Sequence, residues 1–579
     1  MKKFLILAAL ILFTANAEAA NRYARGVGGN WTDNATWSTT SGGAADTVAP
    51  TASDDVFLDA NSGQVTISAV SVGKSLTCTG YTGTLTHNAF DLTISGNITL
   101  VSGMTYTPAS ASSRLRFLAA GTFTSGGKTP WSVAVLSVNV TLGDNLTFIN
   151  QKTTLLNIVT PGTLILNGFT VAGNSATNRV LIQSNTLGTA VTITNTTGTF
   201  ANADFRDITF STVADYSGIT GNSGDCGGNT NGTFTTAATQ TYTGGTGSWS
   251  DVTKWTSRVP LPQDNVLMSG VTGGTITADM PRLGKSIDWT GASGSPTWAV
   301  STAGTWYGSL TLISGMTLTQ TTTMFAEGRG SFTLTSAGRT FAASMEIVMI
   351  GGTMTLQDAY INTNVGNGLL IRNGTFVDNG MSITTAITNS SNANTRAITK
   401  TGNWTVTGTG TVWNYGTTTG LTFSDTGTIT LSDTSASSKT FAGGGLTYNN
   451  LSISGGGAGA VIITGANTFA SIECVGPKTI TFPSATTTTV SNWLIAGSSG
   501  AVITVNASST TQASVSKPSG TVASNYLLLN SSNATGGATF YAGTNSTVND
   551  ASNTGWIFTN APVVAGGSIA SYMLTQGWI

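Results

Sequence analysis

Charged residues are unusually few in this chain. Asp, Glu, Lys and Arg make up 8% of its 579 residues and the formal net charge is −1, whereas an ordinary globular domain has roughly 25% charged residues. Proteins that bind nucleic acid or anionic membranes depend on basic patches, and this composition has no basic excess. We therefore expect no nucleic-acid partner.

Residue types that commonly carry out catalysis or bind metals are also few. The single histidine, His87, has no evident triad or metal partner nearby in the sequence, so we interpret it as a turn or surface residue. The spacings typical of zinc sites, phosphate-binding loops and hydrolase nucleophile elbows are absent. The glutamates beyond the N-terminal segment are scattered, at Glu327, Glu346 and Glu473. This favours a non-enzymatic protein without a cofactor.

Three widely spaced cysteines argue against a disulfide framework, because an odd number cannot pair completely. Cys78 follows Leu76 by two residues and Cys474 follows Ile472 by two, so each shares a strand face with an aliphatic residue and is predicted to be buried. Cys226, within GDCGGN, is predicted to lie on an exposed loop. One disulfide among the three is the alternative.

The first 19 residues have the pattern of a secretory signal. MKK supplies a positive end, FLILAALILFTA an apolar stretch, and Ala17-Glu18-Ala19 a cleavage motif. The apolar stretch is too short to span a bilayer, and no later segment is long and apolar enough for a membrane helix. We expect cleavage after Ala19 and export of the remaining chain.

The rest of the sequence predicts short β-strands separated by tight turns. Segments such as QVTISAV, GTLILNGFTVAG and AVTITNTTGTF alternate apolar and polar residues with a period of two. Valine and threonine suit a pleated surface, and Gly, Asn and Ser recur where turns need them. No convincing helical spacing follows the signal segment.

A tryptophan phrase, Trp-x-Asp-x-x-x-Trp, occurs twice, which indicates an internal repeat. Pro-x-x-x-Asp-x-Val and then GKSL or GKSI follow it in both places, and GNITLVSGMT matches GSLTLISGMT further on, always in the same order. Collinear matches of this kind favour a duplication. The phrase consists of Trp31, Asp33 and Trp37 in the first copy and of Trp249, Asp251 and Trp255 in the second.

The repeat predicts the domain organisation. Copy one covers residues 20–239 and copy two covers 240–561, with inserted coils of the same texture at about 379–490, followed by a tail at 562–579. Strand and turn units follow one another without a break, which favours an all-β fold, a right-handed parallel β-helix in two tandem related copies. Tandem β-sandwiches are the alternative.

We interpret the tryptophan phrase as a cap on the first coil of each copy, because the end of a solenoid leaves core uncovered. Asp33 and Asp251 would bond backbone NH groups of the entering turn. The alternative is that the tryptophan faces stack on sugar rings.

The order Trp-x5-Trp, Pro-x3-Asp-x-Val and GKSI before LTLISG resembles the start of the extracellular glycine-eight domain. It also resembles β-helical stalks of bacterial surface proteins and phage tail fibres. The resemblance implies an adhesive, structural or glycan-facing role, although the broader β-helix group includes polysaccharide lyases and hydrolases. The signal segment is a departure from the phage pattern, because phage virion proteins normally assemble in the cytoplasm and need no export signal.

Two groups of acidic residues are the candidates for chemistry. Asp204 and Asp207 flank Arg206, and carboxylate pairs serve β-helix glycosidases. The two positions are three residues apart, so on a regular strand their side chains would point to opposite faces and could not act together. We therefore favour a structural role for both, in a turn and at the surface.

The second group is Asp54, Asp55 and Asp59. Asp54 recurs as Asp264 directly before a strand, which is typical of a turn-stabilising aspartate. A Ca²⁺ site formed by the three is the alternative.

The sequence favours an exported, non-enzymatic bacterial protein with an adhesive or structural role at the cell surface or outside the cell. A polysaccharide-active β-helix lyase or hydrolase and a phage tail fibre-like attachment protein are the alternatives. The expected partners are glycans or a host or cell surface. The apolar, uncharged tail is a candidate for self-association by strand addition.

Overall fold

A computed structural model describes residues 19–562. The signal segment up to residue 18 and the tail from residue 563 lie outside the described residues. Within the described part the elements are short β-strands, apart from two 3-10 helices at Asn34–Thr36 and Val252–Lys254. No helix in this part is long and apolar enough to cross a membrane.

The strands stack as the coils of a parallel β-helix. Leu156, for example, pairs in parallel with Val133 one coil earlier and with Ile182 one coil later. About 22 such turns follow one another. The predicted β-helix is therefore confirmed, and the tandem β-sandwich alternative is wrong, because strands of a sandwich pair antiparallel with their neighbours.

The chain divides into two compact units. Unit one runs up to Ala237 and includes Leu261–Gln263; unit two contains Ala238–Pro260 and the residues from Asp264 onward. Each unit has its own apolar core.

Unit one has four sheets. Its eleven-stranded sheet contains Asn21–Ala24, Trp37–Ser38, Asp55–Phe57, Ser75–Thr77, Ile98–Thr99, Gly121–Thr124, Asn139–Leu142, Thr163–Ile165, Val191–Thr194, Ile208–Asp215 and Thr230–Thr233. Its eight-stranded sheet contains Ser71–Gly73, Asp91–Ile94, Arg114–Phe117, Ser132–Leu136, Leu155–Val159, Val180–Ser184, Ala203–Arg206 and Ser223–Asp225. A four-stranded sheet contains Gly29–Asn30, Val65–Ile67, Thr84–His87 and Thr105–Pro108. A three-stranded sheet contains Leu146–Thr147, Thr170–Ala172 and Thr199–Ala201.

Unit two also has four sheets. The twenty-stranded sheet contains Thr239–Gly244, Asn265–Val271, Arg282–Gly284, Ile287–Asp288, Gly304–Trp306, Leu310–Thr311, Met324–Ala326, Ser331–Thr335, Met345–Leu356, Leu369–Val377, Thr388–Asn389, Arg396–Lys400, Gly410–Asn414, Leu421–Asp425, Lys439–Ala442, Val461–Thr464, Lys478–Phe482, Ile503–Ala507, Leu527–Asn530 and Thr547–Val548. The ten-stranded sheet contains Thr340–Phe341, Tyr360–Asn362, Ile383–Thr385, Trp404–Val406, Thr428–Leu431, Thr447–Ile453, Thr468–Cys474, Thr487–Ile495, Ala513–Lys517 and Ser532–Gly536. A four-stranded sheet contains Gly247–Ser248, Thr275–Ala278, Thr297–Val300 and Thr317–Gln320. A three-stranded sheet contains Thr521–Ala523, Thr539–Tyr541 and Trp556–Ile557.

Alternation along each strand separates core from surface. In Lys478–Phe482 the first, third and fifth residues are buried, and the threonines between them are partly exposed. Successive side chains of a strand point to opposite faces, so the inward residues of stacked coils form columns, as Ile480 does with Val461 and Val505 in the neighbouring coils. The polar residues between them form columns on the outer faces.

A turn motif recurs in both units. The carboxylate of Asp144 accepts hydrogen bonds from the backbone NH of Ser125 at 2.6 Å, and Asp358 accepts from the backbone NH of Ser336 at 2.7 Å. GTFT ends directly before Ser125, and its match GSFT ends three residues before Ser336. The two-copy organisation stays a prediction. Two related copies would be expected to share turns such as these.

We predict that inward and outward neighbours on one strand differ sharply in their contribution to stability. Ile480→Ala should lower the free energy of unfolding by about 2–5 kcal/mol, because it leaves a cavity in the apolar column. Thr481→Ala, on the outer face, should change it by less than about 1 kcal/mol. Denaturant unfolding of both variants checks this, and equal losses would contradict the assigned inward and outward faces.

Candidate functional site

The two tryptophan phrases fold in the same way. Trp31 and Trp37 meet edge to face with ring centroids 5.1 Å apart, and Trp249 and Trp255 do so at 5.0 Å. In each pair the indole NH of the second ring donates to the backbone carbonyl of the first at 2.7 Å. All four rings are buried. Sugar stacking needs an exposed ring face, so the glycan-platform alternative fails for these residues.

Each phrase lies where its unit begins. Trp37–Ser38 is the outermost strand of the eleven-stranded sheet and pairs antiparallel with Asn21–Ala24. Trp255 likewise forms an antiparallel bridge with Tyr242. An end of a sheet leaves strand edges and core to be covered, so this is the place where a cap is needed. The capping role itself stays a prediction.

The aspartates of the two phrases differ. Asp251 accepts a hydrogen bond from the backbone NH of Thr253 at 3.0 Å, as expected. Asp33 instead accepts from the side-chain amide of Asn30 at 2.9 Å and makes no side-chain cap of its helical turn. The backbone-NH expectation is therefore wrong for Asp33, because its carboxylate binds the side-chain amide of Asn30 instead.

Asp54 is a buried structural carboxylate. It accepts hydrogen bonds from the backbone NH groups of Ala20 and Thr51, both at 2.8 Å, and Arg22 lies 3.5 Å from it. Burial by itself raises the pKa of Asp54, but the hydrogen bonds from Thr51 and Ala20 and the Arg22 charge outweigh it, so the pKa lies below its ordinary value. The carboxylate therefore holds a turn closed against the first strand.

Asp264 does the same work in unit two. It is fully buried and accepts from the backbone NH of Ala238 at 2.8 Å. The guanidinium of Arg258 donates to its two oxygens at 2.9 and 2.7 Å. The geometry of Asp54 and Asp264 leaves neither carboxylate facing solvent as a catalytic acid.

The remaining members of the Ca²⁺ hypothesis point to separate partners. Asp55 binds the Lys74 ammonium at 2.9 Å and the Ser75 hydroxyl at 2.6 Å. Asp59 accepts from the backbone NH of Asn61 at 2.9 Å within its own turn. Within residues 19–562 no three His, Cys, Asp or Glu side chains come together as a metal-binding group. The geometry therefore does not favour a Ca²⁺ site here.

Asp204 and Asp207 are not a surface pair, because both are buried. Asp204 binds the buried guanidinium of Arg179 at 2.7 Å. Asp207 lies at a corner after Ala203–Arg206 with a left-handed φ of 55°, and its carboxylate accepts from the backbone NH of Gly188 at 2.9 Å. The turn part of the prediction holds for Asp207. The surface part is wrong, because ordered donors replace water around each carboxylate.

His87 is an interior residue, contrary to the prediction of a turn or surface position. It is fully buried at the end of Thr84–His87. Its Nε2 donates to the carbonyl of Phe90 at 2.8 Å, so its Nδ1 accepts from the Tyr106 hydroxyl at 2.7 Å. Burial lowers the pKa of His87 to about 4, although the Phe90 carbonyl and the Asp91 charge oppose the shift.

All three cysteines are buried. This confirms the prediction for Cys78 and Cys474 and corrects it for Cys226, which is 3% exposed. Burial raises the pKa of the Cys474 thiol to about 12, so this thiol stays protonated and unreactive at neutral pH.

Two short sheets carry regular rows of threonine hydroxyls on their outward faces. Strands lie ~4.8 Å apart and alternate residues ~6.7 Å apart along a strand, so these hydroxyls form a small two-dimensional lattice. We call the two lattices the threonine arrays. Unit one's array is Thr66, Thr84, Thr86, Thr105 and Thr107. Unit two's array is Thr275, Thr277, Thr297, Thr317 and Thr319.

The arrays recur at matching places. Each lies on a four-stranded sheet whose first strand, Gly29–Asn30 or Gly247–Ser248, immediately precedes a tryptophan of the repeated phrase. Only Ala299 interrupts a column, between Thr277 and Thr319. Sequence reasoning missed the arrays as sites, although Thr-x-Thr in TLTH, TYTP, TITA and TLTQ was their signal.

A groove of about 170 Å³ lies on the eight-stranded sheet of unit one. Arg114, Arg116 and Asn157 line it among aliphatic side chains. Asp91 binds both arginines, at 2.6 Å to Arg114 and 2.5 Å to Arg116. Among the described residues that line the groove, none is aromatic or acidic. The groove thus lacks the aromatic and carboxylate lining expected of a polysaccharide-cleaving site.

Comparisons of the chain with protein-family models, with curated proteins and with solved structures found no match.

We predict that replacing the buried carboxylate Asp54 destabilises the protein in a pH-dependent way. Asp54→Asn should cost about 1–3 kcal/mol at pH 7, because buried donors lose a charged acceptor. The folded pKa is depressed, so this stability is present above the unfolded pKa of about 3.9 and is lost as pH falls through the folded pKa. Denaturant unfolding at several pH values should therefore show the gap to wild type closing in acid.

The matched control is Asp59→Asn, which removes a charge from a turn at the surface. It should change the free energy of unfolding by less than about 1 kcal/mol at every pH. Equal effects of the two variants would contradict the structural role of Asp54.

We predict that His87 titrates near pH 4, which NMR of the chain's single histidine measures directly. The unfolded state binds this proton near pH 6.5 and the folded state does not. Stability should therefore decline as pH falls from about 6.5 to about 4, by roughly 3 kcal/mol in total. A midpoint near the ordinary value would show that the ring is solvated and contradict its burial.

Proposed function

We propose that this protein is an exported, non-enzymatic β-helix that adheres to polysaccharide-bearing surfaces. The observation that carries the proposal is the pair of threonine arrays, which present uncharged hydroxyls in a regular lattice at matching places in both units. Neutral polysaccharides offer repeated hydroxyl groups, which bind such a surface through direct and water-mediated hydrogen bonds. The N-terminal signal pattern supports export.

The distribution of charge supports a binding role over a catalytic one. Glycoside hydrolysis needs two carboxylates at a solvent-accessible cleft. Asp54, Asp204 and Asp264 are buried among hydrogen-bond donors and cations. Asp91, beside the groove, is bound by two arginines. These four carboxylates stabilise the fold, so none of them is available as a catalytic acid or base at a cleft.

We predict that removing array hydroxyls weakens adhesion. The chain with Thr84→Val, Thr105→Val, Thr297→Val and Thr317→Val should bind at least tenfold more weakly, because each lost hydrogen bond is worth about 1 kcal/mol. Valine keeps the shape and strand preference of threonine, so the fold should persist. Pull-down isotherms on insoluble cellulose, chitin and agarose measure the effect.

The control carries Thr384→Val, Thr405→Val and Thr430→Val, which are paired outward threonines of the ten-stranded sheet in unit two. It should bind like wild type. Equal weakening of both variants would show that the arrays are not the contact surface. Failure of the wild-type chain to bind any of the three polysaccharides would contradict the proposed ligand class.

A further inference from the structure

Three charged side chains stack on one another inside unit two. One register position in three consecutive coils holds Asp378, Lys400 and Asp425. Lys400 pairs with Asp425 in the next coil. Val377 pairs with Thr399, so the residues that follow them, Asp378 and Lys400, are aligned as well. Asp378 and Lys400 are fully buried. The side chain of Asp425 is 0% exposed as well. An amine and two carboxylates are thus enclosed together without contact with bulk water.

Lys400 and Asp425 are in direct contact. The Lys400 Nζ lies 2.8 Å from Asp425 Oδ1 and also donates to the carbonyl of Gly402 at 3.1 Å. The Asp425 carboxylate accepts from the backbone NH of Gly427 at 3.0 Å through Oδ1, and from the backbone NH of Asn449 at 3.1 Å through Oδ2. Burial lowers the pKa of Lys400, although the neighbouring carboxylates oppose the shift. The neutral amine therefore costs less free energy to form here than in water.

Asp378 does not depend on Lys400 for its charge. Its carboxylate accepts from the backbone NH of Thr401 at 2.9 Å, from the backbone NH of Gly402 at 2.9 Å and from the indole NH of Trp404 at 2.8 Å. The Thr401 hydroxyl donates at 2.8 Å as well. The column would therefore stay satisfied if Lys400 and Asp425 lost their opposite charges together.

We propose that Lys400 and Asp425 condense into an intramolecular isopeptide bond that joins two consecutive coils. The ammonium first gives a proton to the Asp425 carboxylate along their hydrogen bond. The neutral Lys400 Nζ then attacks the Asp425 carbonyl carbon. One carboxyl oxygen leaves as water, which carries one proton from the amine and one from the carboxylic acid. An ammonium and a carboxylate become one amide and one water, and nothing is oxidised or reduced.

The geometry favours each step. An amine at hydrogen-bond distance from a carboxylate oxygen is close to the reacting carbon, which removes most of the entropic cost of bringing the groups together. Oδ1 receives the proton from Lys400 and leaves as water, so Oδ2 becomes the oxyanion of the tetrahedral intermediate, and the backbone NH of Asn449 is placed to stabilise it. The negative charge of Asp378, one coil away, stabilises the positive nitrogen of that intermediate. Exclusion of water protects the product from hydrolysis.

The product would keep two of the hydrogen bonds already present and lose the one from the backbone NH of Gly427 to the departing Oδ1. The amide NH retains the Gly402 carbonyl as its acceptor, and the amide oxygen retains a backbone NH donor. Condensation also removes a buried ion pair, whose desolvation is costly.

The other buried cations lack this arrangement. Arg179 beside Asp204 has a guanidinium, whose delocalised nitrogen lone pairs make it a poor nucleophile. Lys439 binds Asp433, whose side chain is 19% exposed, so water reaches that carboxylate. Lys478 donates to the carbonyls of Gly457 and Gly459. Lys439 therefore serves as an internal control for the cross-link.

The test is mass spectrometry of the purified full-length chain after denaturation and trypsin digestion. Trypsin does not cleave after an acylated lysine, so a cross-linked chain should give one peptide, residues 397–439, with Lys400 uncleaved and a mass lower by one water. Its fragmentation should yield no backbone ions between Lys400 and Asp425, because that segment is a closed loop. Cleavage after Lys439 should proceed normally in the same digest.

Lys400→Arg is the matched variant, because it keeps the positive charge and removes the nucleophile. It should give separate, unmodified peptides 397–400 and 401–439. Recovery of the same two unmodified peptides from wild type would overturn the proposal and leave the pair as a buried ion pair. Loss of water with normal cleavage after Lys400 would also overturn it, since the dehydration would then be a succinimide. The wild-type result decides the question even if the variant fails to fold.

Discussion

Every feature of this protein depends on parallel, in-register stacking of its coils. Residues of the stacked strands pair in parallel with residues one coil before and one coil after, as Leu156 does with Val133 and Ile182. Side chains therefore fall into columns rather than isolated positions. An inward column must be apolar or supply its own hydrogen-bond partners, and an outward column becomes a repeated chemical surface.

The inward columns explain where the few charges are used. Asp54 and Asp264 hold the first turns of their units, Asp204 binds Arg179, and Lys400 lies against Asp425. A buried carboxylate or ammonium is tolerated only where donors, acceptors or an opposite charge surround it. These residues stabilise the interior, and the threonine arrays place rows of uncharged hydroxyls on outer faces of both units. Such a surface suits hydrogen bonding to neutral, repetitive partners better than proton transfer.

The fold could be predicted because its signal is local. Alternation in segments such as GTLILNG indicates strands, and the recurrence of the tryptophan phrase indicates where each unit begins. Burial of Cys78 and Cys474 followed from their parity with neighbouring aliphatic residues. The strand and burial inferences need only residues two or three positions away, and the repeat needs only a comparison of the sequence with itself.

What could not be predicted depends on register between coils. His87 is buried because Tyr106 and Phe90 supply its partners, and Tyr106 belongs to the next coil. The threonine arrays and the Lys400 column likewise need residues some twenty or more positions apart to be aligned, and turn lengths set that alignment. Asp204 looked like a surface acid because its partner Arg179 lies 25 residues away.

The central claim is that the protein binds its partner through uncharged outer faces and leaves it intact. The most direct measurement is binding of the wild-type chain to insoluble polysaccharide across a wide range of salt concentration, with soluble sugar fragments assayed in the same samples. Hydrogen bonding between neutral groups is not screened by salt, so we expect retention to persist at high salt and no fragments to appear. Loss of binding as salt rises would point to the arginine-lined groove instead, and release of fragments would contradict a non-enzymatic role.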